Sequence, residues 1–99
     1  MALADADIAF ATDLFSDLGH VTTRKMFGGM CLYLDGDVFA LMSSEGQLYL
    51  KAKGDAATQL QDDGAAQFHN MPYWSIPDAA LDDPAEACTL ARTTIASLM

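Results

Sequence analysis

The residues of this chain with the chemistry to bind a metal or attack a substrate are two histidines, His20 and His69, and two cysteines, Cys31 and Cys88. Zinc sites built from His and Cys repeat their ligands at short fixed spacings, whereas these histidines lie 49 positions apart with no cysteine at ligand spacing beside either. A Cys31 nucleophile with His69 as base can be drawn on paper. Its thiolate, however, would need a helix N-terminus or a fixed cation nearby, and Cys31 falls inside a strand-like apolar run. Residues 27–30, Phe-Gly-Gly-Met, lack the spacing of a phosphate-binding loop and precede a strand pattern instead of a helix. Asp35, Asp37, Asp62, Asp63, Asp82 and Asp83 occupy turn and cap positions, where aspartate is favoured for its local hydrogen bonds. The sequence therefore offers no catalytic constellation, metal site or cofactor motif, and the expectation is a protein that is not an enzyme.

Candidate binding residues are those of surfaces. Tyr33, Tyr49, Tyr73 and Trp74 are amphipathic aromatics of the kind enriched where proteins meet, and Arg24, Lys25, Gly28 and Gly29 place two cations beside a turn. The same aromatics would serve equally to fill a second small core or a sheet edge. Net charge is −9, from 14 acidic and 5 basic residues, a field that repels nucleic acid and anionic membranes and disfavours direct DNA binding. Four of the five cations, Arg24, Lys25, Lys51 and Lys53, flank one apolar segment. Strands one and four of a simple meander lie roughly 14 Å apart, so these side chains need not converge.

That segment, Lys25 to Ala52, is the framework that must position the candidates. Asp35-Gly36 between alternating apolar runs is a strong hairpin signal, because a type I′ turn needs positive φ at both central residues. The implied register pairs Leu34 with Asp37, Tyr33 with Val38, Leu32 with Phe39, Cys31 with Ala40 and Met30 with Leu41. Gly28-Gly29 reads as a second two-residue turn that pairs Phe27 with Met30, and a four-residue turn over 43–46 aligns Met42 with Gln47. Met30, Leu32, Phe39, Leu41, Leu48 and Leu50 then face the core, while Cys31, Ala40 and Tyr49 line the other face together with Arg24, Lys25 and Tyr33.

Around this meander, Asp5 to Leu18 has helical periodicity closed by Gly19, and Val21 to Phe27 is extended without clean alternation. Asp55 to Asp62 forms a short peripheral helix closed by Gly64, and Phe68 to Ile76 gives one or two short strands broken near Asn70-Met71-Pro72. If extended, Tyr73 and Trp74 point to opposite faces, one in the core and the other exposed or at a sheet edge. Pro77-Asp78 and Asp82-Asp83-Pro84 each open a helix. Ninety-nine residues, 52% of them hydrophobic, suit a single domain over 1–99. The N-terminus lacks the charged and apolar regions of a signal peptide, no run is long enough to span a membrane, and the cysteines lie in apolar segments, so a reducing cytoplasm is expected.

The ordered set Arg24-Lys25-Met26-Phe27-Gly28-Gly29, Leu32-Tyr33, Asp35-Gly36, Phe39-Ala40-Leu41, Leu48-Tyr49-Leu50-Lys51-Ala52, Met71-Pro72-Tyr73-Trp74 and Ile76-Pro77 resembles the N-terminal domain of the TfoX/Sxy family of bacterial competence regulators. The resemblance covers nearly the whole chain. It implies an α+β fold, an antiparallel sheet with flanking helices in the order α-β-β-β-α-β-β-α, in which Val21 to Phe27 is not counted as a full strand. Full-length members of that family resemble regulators that work with the cAMP receptor protein at competence promoters and carry a second, helical domain, which this sequence lacks. The expectation is a non-catalytic protein-interaction module that regulates transcription through a protein partner, with any DNA contact indirect. The alternatives are a small-molecule-binding protein or small enzyme with a pocket near Tyr73 and Trp74, and a homodimeric scaffold.

Overall fold

The computed structural model describes residues 4–26 and 28–99. Its elements are α1 (Asp5–Leu14), β1 (Val21–Met26), β2 (Gly29–Leu34), β3 (Asp37–Met42), β4 (Leu48–Lys51), α2 (Gly54–Asp62), β5 (Tyr73–Ser75), α3 (Asp78–Leu81) and α4 (Pro84–Ser97). The fold is α+β, one antiparallel sheet in the order β1-β2-β3-β4-β5 with four helices. Val21–Met26 is a full strand, so four strands precede α2. Its weak alternation reflects its place at the sheet edge, where most of its side chains are exposed whichever face they take.

Local signals set the helix ends. Asp7 accepts from the Ala4 amide at the start of α1, and a 3-10 turn over Ser16–Leu18 carries the chain to Gly19, whose φ of 132° a residue with a side chain would resist. At α4, the Asp83 carboxylate accepts from the amides of Ala85 and Glu86, with Pro84 at the first helical position. Gly64, φ 94°, follows α2.

The Asp35-Gly36 hairpin has positive φ at both residues, 52° and 91°, and Leu34↔Asp37 and Tyr33↔Val38 pair as expected. Beyond them the register shifts by one. Leu32 pairs with Ala40, Cys31 with Leu41 and Met30 with Met42, which corrects the three pairings read from the sequence. Phe39 is the extra residue of a β-bulge, and the bulge lets Phe39 and Ala40 both reach the helix layer. Phe39 there meets Phe15 edge-on, ring centroids 5.3 Å apart.

The last turn of the meander spans five residues, closed by the Ser43 amide donating to the Gln47 carbonyl, so Met42 aligns with Leu48. Lys25 pairs with Met30 and Met26 with Gly29, which puts Gly29 in the strand and not in a turn. The expected pairing of Phe27 lies outside the described residues.

These pairings build one core. Met30, Leu32, Ala40, Met42, Leu48 and Leu50 face the helices and pack against Ala11 and Leu14 of α1, Ala80 of α3, and Ala87 and Ala91 of α4. A satellite cluster joins Trp74 and Ala52 to Leu60 of α2. Because Trp74 pairs with Leu50, it lies on that same face. All four helices therefore cover one side of the sheet. Leu41, expected in this core, is instead on the other side, moved there by the bulge.

Candidate functional site

Cross-strand partners project from the same face, so the side without helices carries Arg24 and Met26 from β1, Cys31 and Tyr33 from β2, Leu41 from β3, Tyr49 and Lys51 from β4, and Tyr73 from β5. Residues 66–71 curl back over it. The Phe68 amide donates to the Tyr73 carbonyl and the Met71 amide to the Phe68 carbonyl, which lays the Phe68 ring 4.9 Å from that of Tyr49, with the His69 ring 4.4 Å farther along. His69 takes φ 53°, a left-handed conformation that this tight turn imposes on a non-glycine residue.

Between that loop and the sheet lies a cleft of about 580 Å³, lined by Met26, Cys31, Leu41, His69, Met71 and Tyr73 among others. Its walls are mostly apolar, and Met26 and Met71 are 40% and 44% exposed at its rim. Met side chains are flexible and polarisable, suited to surfaces that must adapt to what they touch.

The cleft brings Cys31 and His69 together, but not as a nucleophile and its base. The Cys31 thiol donates to the Met26 Sδ at 3.6 Å, and burial pushes its pKa above the ordinary 9.0, the opposite of an activated thiol. Alkylation by iodoacetamide in the folded protein is expected to be slow at neutral pH and to reach half its limiting rate only above pH 9.0. Reactivity that rose near pH 7 would overturn this. Burial raises the Tyr73 hydroxyl in the same direction, with smaller contributions from Cys31 and Tyr33. A folded state that holds these protons more tightly loses that stabilisation as pH rises through the ordinary values of 9.0 and 10.0 and beyond.

Of the residues singled out in the sequence, Arg24, Tyr33, Tyr49 and Tyr73 share this face. Lys25 does not, because it pairs with Met30 and so projects to the helix side. Trp74 lies beneath α2 on the helix side as the core member of the pair, while Tyr73, also buried, sits on the edge strand β5 and on the opposite face. Tyr73 is enclosed by the cleft instead of by the helices. Gly28 takes φ 81°, while Gly29 is held by close packing: a Cβ there would lie 2.4 Å from the Met42 carbonyl oxygen. Met26, Leu41, Phe68 and Met71 were not singled out as site residues, and His69 was weighed only as a base for Cys31. Only the aromatic Phe68-His69 pair beside Met71-Pro72 hinted at them. Cys88 packs on the far side of the sheet, its thiol donating to the Leu14 carbonyl, so the two cysteines are separate and free.

Among the described residues no cluster of three or more His, Cys, Asp or Glu side chains could hold a metal, and no helix is long and apolar enough to cross a membrane. No curated protein matches the chain. The sequence profile of the TfoX N-terminal domain does, over residues 13–98, from the end of α1 through the five strands to the end of α4. That span takes in the whole sheet, both of its faces and the loop that roofs the cleft, and the chain belongs to the TfoX N-terminal domain family.

Proposed function

We propose that the chain is a non-catalytic protein-interaction module that acts in transcriptional regulation through a protein partner, with the helix-free face of the sheet as its docking surface. The observation that carries this reading is the one-sided layering of the fold. Among the described residues, helices cover only one side of a five-stranded sheet, and the other side presents Tyr33 and Tyr49, both half-buried, with Met26 and Met71 exposed around an apolar cleft. Aromatic and methionine side chains on a concave apolar surface are the composition of interface centres. A net charge of −9 opposes direct contact with DNA, so influence on a promoter runs through the partner.

The test is capture of a protein partner at physiological salt by the wild-type chain and by Tyr33→Glu and Tyr49→Glu. Both substitutions put a charge on the open face without touching the helix-side core, and loss of the partner in both supports the reading. No protein partner, together with tight salt-sensitive DNA binding, refutes it.

A small molecule is the second reading, favoured by the cleft itself, since 580 Å³ falls within the span of ligand pockets. Its site is the Tyr73 side of the sheet alone, because Trp74 is turned to α2.

A further inference from the structure

We infer that the partner engages β1 as well as the open face, by adding an extended acidic segment to the sheet as a sixth strand. This deepens the reading of the chain as a protein-interaction module and rests on it.

The sheet has two edges, and they differ. The β5 edge is closed: Gln67 bridges to Trp74, the Phe68 amide donates to the Tyr73 carbonyl, and the Ser75 amide donates to the Ala66 carbonyl. The β1 edge is open. The Asp35 amide donates to the His20 carbonyl, so His20 turns its backbone groups toward β2. Antiparallel ladders alternate, and the amides and carbonyls of Val21, Thr23 and Lys25 therefore point away from the sheet. Among the described residues, no backbone hydrogen bond other than those of its ladder with β2 reaches Val21–Met26. Six residues offer a free edge about 20 Å long.

Charge selects the occupant. Arg24 and Lys25 are exposed, adjacent and on opposite faces of that edge strand. A second copy of β1 would bring four cations onto one ladder, and like charges on a shared ladder destabilise it. Nucleic acid has no strand to add. An acidic strand pairs with both cations at once, and the carboxylates elsewhere on the chain act weakly on it beyond a screening length of about 8 Å at physiological salt.

Continuing the antiparallel pattern, the added strand meets Met26 first, then Lys25, then Arg24. Met26 lines the cleft, so the residue beside it is apolar, and the next two are acidic. The recognised segment, read from its N-terminus, is apolar-acidic-acidic within an extended run. Adding a strand to an exposed edge is an established mode of peptide recognition, in which main-chain bonds supply affinity and side chains supply specificity.

The test uses the full chain and a fluorescein-labelled eight-residue peptide of threonine and valine carrying a central Leu-Asp-Glu, followed by anisotropy and by amide shifts in 15N spectra. Binding should weaken as salt rises and should fall at least tenfold in the double variant Arg24→Glu/Lys25→Glu. It should fall similarly in Thr23→Pro, which deletes an outward amide but no ladder bond; circular dichroism checks that this variant is folded. Amide shifts should centre on Val21, Thr23 and Lys25. Equal binding of a Leu-Lys-Lys peptide, shifts confined to Tyr33, Tyr49 and Phe68, or peptide-free dimerisation abolished by Thr23→Pro would each overturn the inference. Captured partner separates the two readings. Retention by Thr23→Pro with loss by Tyr33→Glu removes the edge and leaves the open face standing, whereas retention by both variants removes both.

Discussion

Phe39→Ala is expected to remove a large share of the fold's stability. Phe39 is 1% exposed, packs edge-on against Phe15, and occupies the bulge through which β3 delivers two successive side chains to the helix layer. Truncating a buried phenylalanine costs about 3–5 kcal/mol, and more where the site cannot collapse. Here the surrounding strands are fixed by their ladders and cannot move in. Domains of this size have about 5–15 kcal/mol in all, so the loss takes a large share of it. At about 4–8 °C per kcal/mol, the Tm followed by far-ultraviolet circular dichroism should fall by at least about 12 °C. A fall under about 5 °C would show that the bulge is not where α1 is anchored.

Gly29→Val should be comparably damaging for a reason unrelated to φ. The atom that a Cβ would strike, 2.4 Å away, is the backbone oxygen of Met42, and Met42 is paired on both sides, with Met30 and with Leu48. Neither strand can yield without opening a ladder. Overpacking of this kind costs about 3 kcal/mol or more when backbone must shift. Gly36 makes the informative comparison. It needs a positive φ, 91°, but a Cβ there meets nothing within 4 Å, so Gly36→Ala carries only the left-handed penalty of about 1–2 kcal/mol. Urea unfolding of the two variants should rank Gly29→Val as clearly the less stable, and the reverse order would place the constraint at the hairpin.

The same two residues show where sequence is legible and where it stops. Asp35-Gly36 announces its turn because the requirement is local, and the pairs nearest the turn follow from it. Two residues farther, the register depends on whether Phe39 can reach Phe15, a side chain 24 positions earlier, and no local pattern encodes that. Gly28 and Gly29 look alike in sequence, yet one satisfies a backbone angle and the other a neighbour from β3. The caps of α4 and the closing glycine of α2 were readable for the same reason as the Asp35-Gly36 turn.

On the open face, Tyr33 and Tyr49 were placed by simple alternation, whereas Lys25 was misplaced because neighbouring residues of a strand alternate faces, so it cannot share a side with Arg24. The path of the loop of Phe68 and His69 is fixed by no local pattern, since it depends on β5 pairing with β4 and then being bridged from its other side by Gln67.

Trp74 is the only tryptophan, and its Nε1, buried beneath α2, has no hydrogen-bond partner among the described residues. An unmatched indole donor in an apolar setting costs about 1–3 kcal/mol, and it also makes the ring an isolated optical reporter. Its emission should be blue-shifted while α2 sits on the sheet and should move red when that helix lifts away. Because the ring faces away from the cleft, a partner seated on the tyrosine side leaves this signal nearly still, so one fluorescence channel reads the integrity of the helix layer while another follows association.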